Sequence, residues 1–305
     1  MTKGNFVFHN NVEIPNLGFG TWQIPNEEAY DAVTMALKNG YTHIDTALAY
    51  KNEENVGKAI KDFDISREDV FITSKLPAQT KGYDETMDAF NETISNLGVD
   101  CLDLYLIHAP WPWDEKGKDY TEGNIQSWKA MEKLYNDGKI RAIGVSNFEI
   151  SDIQALLDNC DIVPMANQIP FYVGRDQEEL LTFCKQHEIV AEAYSPLATG
   201  QLLDNQDIKD MADKYSVTPA QLLIRYCLER DTLPLPKSTH EERIKQNKQV
   251  LILLPEIGLT GEFEKKFIDF FGFKPAIWHS GVTSKNKKKI WSGLSSGKIK
   301  AVIGA

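Results

Sequence analysis

The sequence predicts a parallel (β/α)₈ TIM barrel, and two observations lead to this prediction. Apolar, β-branched runs such as 70–76 alternate with segments of helical period such as 84–97, and strands that alternate with helices pair in parallel. Eight such runs occur before residue 238, which is the number that closes a barrel. The 305 residues, 42% of them hydrophobic, are enough for one barrel of roughly 250 residues and a remainder.

The predicted elements follow one another in order along the chain. A short hairpin at 6–14, turning at Asn10 and Asn11, is placed so that it could plug the bottom of the barrel. The predicted strands span residues 17–21, 42–46, 70–76, 102–108, 140–146, 165–169, 189–194 and 233–237, and the predicted helices span residues 27–38, 53–61, 84–97, 124–136, 151–157, 177–187 and 218–229.

Four polar residues near the ends of successive strands could act together on a proton. Asp45, Lys75 and His108 lie at the ends of three runs, and Tyr50 follows Asp45 by five residues. In a parallel barrel the carboxyl ends of the strands carry the catalytic groups. An ammonium beside a phenol stabilises the phenolate and lowers the phenol pKa, and Asp45 would keep that ammonium charged. We therefore predict a proton-donating site in which His108 hydrogen-bonds a carbonyl oxygen.

These four residues lie in segments that resemble the aldo-keto reductases. The stretch GYTHIDTALAYKNEENVG, the lysine of ITSKL and the histidine of LIH occur in the order found in that family, and the resemblance runs from about residue 6 to residue 247. It implies that Asp45, Tyr50, Lys75 and His108 form a catalytic tetrad with Tyr50 as the general acid. It also implies a small-molecule carbonyl substrate.

The same resemblance implies NADPH as the cofactor. By that resemblance Ser146, Asn147 and Gln168 hold the nicotinamide carboxamide, Tyr194 stacks on the nicotinamide ring, and Ser195 and Leu197 contact the pyrophosphate. No G-x-G-x-x-G motif is present, and this family needs none.

The residues that follow the eighth strand favour an anion. Thr239 and Glu242 have capping-box spacing, which predicts a helix start, and the free N–H groups of a helix start attract anions. Lys237 and Arg243 add positive charge beside it. In the related family the pattern P-K-S-x-x-x-E-R-I binds the adenosine 2′-phosphate, so Lys237, Ser238 and Arg243 imply NADPH rather than NADH.

The substrate pocket departs from the family pattern in two places. His108 is followed by Ala-Pro-Trp where relatives often read Trp-Pro, and 167–174 reads NQIPFYVG where relatives read NQ-x-E-[YF]-HP. The aromatic wall is thus missing or displaced to Trp111 or Trp113. We assign Trp22, after the first strand, and Trp111 to the substrate.

Composition restricts the other functional classes. The four cysteines lie far apart, and no Cys/His spacing suits zinc, so we expect reduced thiols and no metal. The longest apolar run, 250–254, is far shorter than the ~20 residues that span a bilayer. The N-terminus lacks a secretory pattern. We therefore expect a cytoplasmic protein, and we expect it to be a monomer.

Residues 248–305 differ from the rest of the chain in charge and in pattern. They contain ten lysines and four acidic residues and so carry a net charge of +6. Because the net charge of the whole chain is −11, residues 1–247 carry −17. The predicted order is strand 249–254, helix 260–271, strand 274–279, helix 283–294 and strand 299–303, a βαβαβ fragment that suits an open parallel sheet.

This segment resembles an internal piece of the primosomal replication-restart DNA helicase. The resemblance rests on LLPEIGLT, the HSG turn and the closing VIGA. No G-x-x-x-x-G-K-[ST] loop is present, so we expect no ATP hydrolysis. We interpret the segment as a fusion or assembly product without independent function; the alternative is an evolved second domain.

We thus predict two domains, a barrel with a truncated last helix at 1–247 and a helicase-like fragment at 248–305.

The leading functional hypothesis is NADPH-dependent reduction of aldehydes and ketones, with the proton from Tyr50. The alternative is a catalytically silent scaffold or a nucleic-acid-binding fusion protein. The lysine-rich run 285–289 could contact nucleic acid. Such runs are usually a solvated helix face, so we expect no nucleic-acid partner.

Overall fold

The computed structural model describes residues 5–248, 252–253, 276–278, 282–295, 299 and 302–304. The chain divides into two compact units, one of which is Lys3–Lys248 and the other of which includes Gln249–Ala305.

The first unit contains an eight-stranded parallel sheet whose strands follow the order of the chain. Its strands are β3 (Phe19–Gly20), β4 (His43–Asp45), β5 (Phe71–Leu76), β6 (Leu102–Ile107), β7 (Ile140–Ser146), β8 (Ala166–Pro170), β9 (Val190–Tyr194) and β10 (Leu233–Leu235), preceded by a hairpin of β1 (Phe6–Val7) and β2 (Glu13–Ile14). The predicted barrel is confirmed.

A seam between the first and last strands of the sheet closes the barrel. The amide of Gly18 donates to the carbonyl of Pro234 at 3.1 Å, and the amide of Gly20 donates to that of Pro236 at 3.0 Å. A side chain at Gly18 would lie 2.4 Å from Leu235 and 2.5 Å from the His43 ring. A larger residue at this position would therefore require the Leu235 and His43 side chains to move.

The helices lie between the strands along the chain. They are α1 (Asn26–Lys38), α2 (Glu53–Asp62), α3 (Tyr83–Leu97), α4 (Thr121–Asn136), α5 (Ile150–Asn159), α6 (Glu178–Gln186), α7 (Gln206–Tyr215), α8 (Pro219–Glu229) and α9 (Glu241–Lys248). Local sequence explains the start of α8, where Thr218 and Gln221 form a capping box and Pro219 is the first helical residue. The helix α7 was not predicted. The helix α9, which follows β10, covers eight residues up to Lys248, where the continuously described part of the chain ends.

Apolar side chains of the hairpin fill the end of the barrel where the strands begin. Phe6, Phe8 and Ile14 pack in one cluster with Phe71 and Leu233, the first residues of β5 and β10. Burying a large apolar side chain contributes about 1.5–3 kcal/mol. The predicted plug is confirmed, and it leaves the opposite, carboxyl end of the strands for the site.

The second unit contains a three-stranded sheet of parallel strands. Its elements are β11 (Ile252–Leu253), β12 (Ala276–Trp278), α10 (Ser284–Ser295) and β13 (Val302–Gly304), with the order β11-β13-β12. These agree with the predicted strands and the second predicted helix, while the predicted helix 260–271 lies outside the described residues. Over the described part of the chain, no helix combines the length and hydrophobicity that crossing a membrane requires.

Candidate active site

A buried ion pair joins the ends of β4 and β5. The Lys75 ammonium lies 2.7 Å from Asp45 Oδ1 and donates a second hydrogen bond of 2.8 Å to the carbonyl of Thr46. The Lys75 side chain is 0% exposed and the Asp45 side chain 5%. Burial lowers the pKa of Lys75, but the negative charge of Asp45 and its neighbours outweighs burial, and the net pKa is raised. Lys75 is therefore a charged ammonium at neutral pH.

Tyr50 lies directly beside this ion pair. A single turn, Leu48–Tyr50, follows β4 and brings the centre of the Tyr50 ring to 5.1 Å from the Lys75 ammonium. Burial raises the pKa of Tyr50, the charge and hydrogen bond of Lys75 lower it, and Asp45 raises it; the net pKa is raised. The predicted net lowering of the phenol pKa is therefore wrong, because burial outweighs the ammonium.

His108 faces the hydroxyl of Tyr50 across the site. The two groups are 3.5 Å apart, measured from the Tyr50 hydroxyl to His108 Nε2. Burial lowers the pKa of His108 well below its usual value, and the charges of Lys75 and Lys81 lower it further. The imidazole is therefore neutral at physiological pH. The Trp113 ring packs edge-on against the His108 ring, with 5.5 Å between the ring centres, and helps to fix the orientation of the imidazole.

A second buried carboxyl group continues the network away from Lys75. Gln168 Nε2 donates to Asp45 Oδ2 at 2.8 Å and to Glu192 Oε2 at 2.7 Å. Glu192 is 0% exposed, and its Oε1 has no hydrogen-bond partner. Burial, with repulsion from Asp45, raises the pKa of Glu192 to about 8. Sequence analysis missed Glu192, although it precedes Tyr194 by two residues and so shares its face of β9.

A cavity of about 1090 Å³ opens over this network and extends to the start of α9. All predicted site residues except Lys75 and Trp111 line it: Trp22, Asp45, Tyr50, His108, Ser146, Asn147, Gln168, Tyr194, Ser195, Leu197, Lys237, Ser238 and Arg243. Lys75 is fully buried and forms its ion pair with Asp45, which does line the cavity. The cavity therefore joins the predicted catalytic and cofactor residues in one space.

Hydrogen bonds fix the polar side chains on the β7 and β9 side of the cavity. Ser146 Oγ donates to the carbonyl of Gln168 at 2.9 Å, and Asn147 donates to the carbonyl of His108 at 2.9 Å. The Tyr194 hydroxyl donates to Asn147 Oδ1 at 2.8 Å. Asn147 adopts a left-handed backbone with φ 61°, a conformation that asparagine tolerates better than most residues. Bonds within the protein thus hold these polar groups in place.

A family model described as the aldo/keto reductase family matches residues 16–257. The chain belongs to the aldo/keto reductase family. The glyoxal reductase of Bacillus subtilis is 45% identical over 249 residues, which cover 81% of this chain and 87% of that protein.

Solved structures of aldo/keto reductases agree with this assignment. An aldo/keto reductase from Brucella melitensis superposes with a TM-score of 0.75 at 41% identity, covering 80% of this chain and 90% of that one. An aldo-keto reductase from Bombyx mori in complex with NADP has a TM-score of 0.72 at 34% identity, covering 81% and 87%. The predicted family is confirmed, and the resemblance of 248–305 to a helicase stays a prediction.

The start of α9 carries the predicted anion-binding residues of this aldo/keto reductase. Lys237 and Arg243 are exposed at the cavity, whereas Ser238 is buried and its hydroxyl accepts the amide hydrogen of His240 at 3.1 Å. The helix begins at Glu241, one residue later than a cap at Thr239 would give. The predicted capping box is therefore wrong, and Ser238 satisfies a backbone amide of this turn instead.

Two tryptophans line the mouth of the reductase cavity. Trp22 and Trp113 are each 45% exposed and face this space. Trp111, which we had assigned to the substrate, is not among the lining residues; its ring packs edge-on against Trp113 at 5.4 Å and lies under the Lys116 ammonium. Trp113 therefore takes the position predicted for Trp111.

Proposed function

We propose that this aldo/keto reductase reduces small aldehydes and ketones to alcohols with NADPH. The observation that carries the proposal is a phenol and a neutral imidazole 3.5 Å apart, Tyr50 and His108, beside a buried ammonium-carboxylate pair at the floor of one cavity. A carbonyl oxygen in the cavity within hydrogen-bond distance of both the Tyr50 hydroxyl and His108 Nε2 would accept a hydrogen bond from each.

Tyr50 is the proposed general acid. As it gives its proton to the carbonyl oxygen, negative charge develops on the phenol oxygen. Lys75, held charged by Asp45, stabilises that charge without reorganising, because its position is fixed by two hydrogen bonds. His108 is neutral and keeps one N–H, so it orients the carbonyl oxygen without competing for the proton.

The cavity residues fit NADPH along its length. When bound, the nicotinamide supplies a hydride from its C4 to the carbonyl carbon. Ser146, Asn147 and Gln168 would hold the carboxamide, Tyr194 would stack on the ring, and Ser195 and Leu197 would contact the pyrophosphate. The chemistry of the far end supports a phosphate, since Lys237 and Arg243 place two cations at a helix start.

Replacing Arg243 by alanine tests the preference for NADPH. A charge-assisted hydrogen bond contributes about 1.5–3 kcal/mol, so we expect NADPH to bind about 10–100-fold more weakly. NADH, which lacks the 2′-phosphate, should bind as it does to the unaltered protein. Quenching of intrinsic fluorescence during titration with each nucleotide measures both affinities.

Lys245→Ala is the matched control for this substitution. Lys245 lies on the same helix but does not line the cavity, so its loss should leave both affinities unchanged. If Arg243→Ala weakens NADH and NADPH equally, the proposed 2′-phosphate contact is refuted.

A short carbonyl compound is the proposed substrate class. The relative from Bacillus subtilis is named a glyoxal reductase, and glyoxal is a two-carbon dialdehyde. The indole rings of Trp22 and Trp113 border the space above Tyr50, which supports compact substrates with an apolar or aromatic substituent.

We also propose that the barrel carries the activity and that 248–305, a helicase-like fusion product, contributes no catalytic group. Limited proteolysis should yield a resistant fragment that ends close to Lys248, because chain segments between compact units are the usual cleavage sites. Mass spectrometry of the fragment identifies its end. Uniform resistance through Ala305 would contradict two separate units.

A further inference from the structure

The amide group of Gln168 has both of its hydrogens engaged inside the barrel. One points to Asp45 Oδ2 at 2.8 Å and the other to Glu192 Oε2 at 2.7 Å. Gln168 also lines the cavity. Since the nitrogen has no hydrogen left, the carbonyl oxygen is the only amide atom that remains for a ligand, and it can only accept a hydrogen bond.

A single partner would not fix this orientation. An amide that touched Asp45 alone could satisfy that carboxylate with one hydrogen and leave the other free for the cavity. The second acceptor, Glu192, removes that freedom, because turning the amide over would set its oxygen against the Asp45 carboxylate and would leave Glu192 Oε2 without its hydrogen bond. The orientation of Gln168 therefore depends on Glu192 as well as on Asp45.

Packing alone does not account for a carboxyl group at this position. Glu192 is fully buried on β9, and its register partner on β10 is the apolar Leu233. One of its oxygens, Oε1, receives no hydrogen bond, and burying an unsatisfied polar atom is unfavourable. A leucine would fill a similar volume without that penalty, but it would leave one hydrogen of Gln168 without an acceptor.

We propose that Glu192 is a positioning residue that holds the Gln168 amide with its carbonyl oxygen toward the cavity, where it accepts an N–H from the nicotinamide carboxamide. The inference rests on the proposed function, because the ligand it serves is the proposed cofactor. Glu192 itself touches no ligand and acts through Gln168.

The protonation state of Glu192 fits this role at neutral pH. The charged groups that face it are Asp45 on β4 and Lys75 on β5, and the repulsion from Asp45 is stronger than the attraction of Lys75. Because burial raises the pKa of Glu192 to about 8, it carries its proton below that pH, on the unpartnered Oε1, while Oε2 still accepts from Gln168. The buried network thus holds one anion and one cation rather than two anions and a cation.

Nucleotide binding to matched variants tests the proposal. Glu192→Gln keeps an acceptor for Gln168, so its NADPH affinity at pH 7 should stay within about twofold of the unaltered protein. Glu192→Leu removes the acceptor and should bind NADPH about tenfold more weakly, the effect of losing roughly one hydrogen bond. Glu53→Gln, the same change at a buried carboxyl group outside the cavity, should bind normally.

A double-substitution cycle separates positioning from a general structural effect. If Glu192 acts through Gln168, Glu192→Leu should cause no further loss of NADPH affinity in a Gln168→Ala background. An equal loss in both backgrounds, an affinity of Glu192→Leu equal to that of the unaltered protein, or a Glu192→Gln variant as weak as Glu192→Leu would each overturn the proposal. Failure of the unaltered protein to bind NADPH would instead refute the proposed function.

Thermal unfolding without nucleotide gives a second readout. The pKa of Glu192 is raised in the folded protein from 4.5 to about 8, so the unaltered protein should lose stability relative to Glu192→Gln as pH rises from about 4.5 to 8, and the difference should level off above 8. If the difference in Tm between the unaltered protein and Glu192→Gln does not change over this pH range, Glu192 is ionised in the folded protein. That result would overturn its protonated role.

Discussion

Tyr50→Phe is expected to reduce the kcat for carbonyl reduction by about 10²–10⁴-fold while leaving NADPH affinity unchanged. The substitution removes only the hydroxyl that donates the proton, and a positioned general acid contributes about that factor. The ring, which packs edge-on against His108 at 5.5 Å, stays in place. Consumption of NADPH with glyoxal, followed by absorbance, measures the rate.

Tyr30→Phe provides the control for that experiment. Tyr30 lies on α1 outside the cavity, and its hydroxyl donates to Asp62 at 3.2 Å. Its loss should leave kcat unchanged. A Tyr50→Phe variant that turns over at more than a tenth of the original rate would disprove Tyr50 as the proton donor.

Lys75→Met should abolish reduction and also destabilise the barrel by about 3–5 kcal/mol, the penalty of leaving one member of a buried ion pair alone. Asp45, 5% exposed, would keep only its bond from Gln168. An isolated buried carboxylate takes up a proton more readily, so the loss of stability should shrink as pH falls. Urea denaturation at several pH values measures it.

The double variant Asp45→Asn with Lys75→Met separates stability from catalysis. Removing both charges takes away the isolated buried carboxylate, so much of the lost stability should return, and the introduced amide oxygen can still accept a hydrogen bond from Gln168. Activity should not return, because no ammonium remains beside Tyr50. Recovery of near-normal turnover in the double variant would contradict the role of Lys75.

The position of the proposed site could be predicted from sequence because it follows from strand geometry. Asp45 and Lys75 end neighbouring strands of a parallel sheet, and such ends must meet at one face whatever the details of the loops. The eight-stranded closure was likewise visible as eight apolar runs. Family resemblance then added the proposed cofactor residues, which periodicity alone does not distinguish from other polar positions.

Properties that depend on solvent exposure or loop conformation could not be predicted. The net pKa of Tyr50 is set by burial, which has no signal in the sequence. The exchange of Trp111 for Trp113 at the cavity depends on the turn Trp113–Glu115, whose course no periodicity describes. The helix α7, by contrast, does carry a sequence signal, because its apolar residues 208, 211, 212 and 215 have the spacing of one helix face.

Glu192 is different, because strand alternation alone could have identified it. Residues two apart on a strand share a face, so once Tyr194 was assigned to the cavity, Glu192 followed as its neighbour one layer deeper. The family motif AYSPL includes Tyr194 but not Glu192, two residues before it, so the resemblance did not identify the acidic residue.

The seam at Gly18 and Gly20 has a consequence for synthesis on the ribosome. Its hydrogen bonds to the carbonyls of Pro234 and Pro236 join residues more than two hundred positions apart, so the cylinder cannot close until almost the entire barrel has emerged from the exit tunnel. Contacts of such long sequence separation form late. Lys237, a proposed phosphate-binding residue, follows this last strand by two residues. If that proposal holds, a nascent chain can bind the nucleotide phosphate only once its ring of strands is complete.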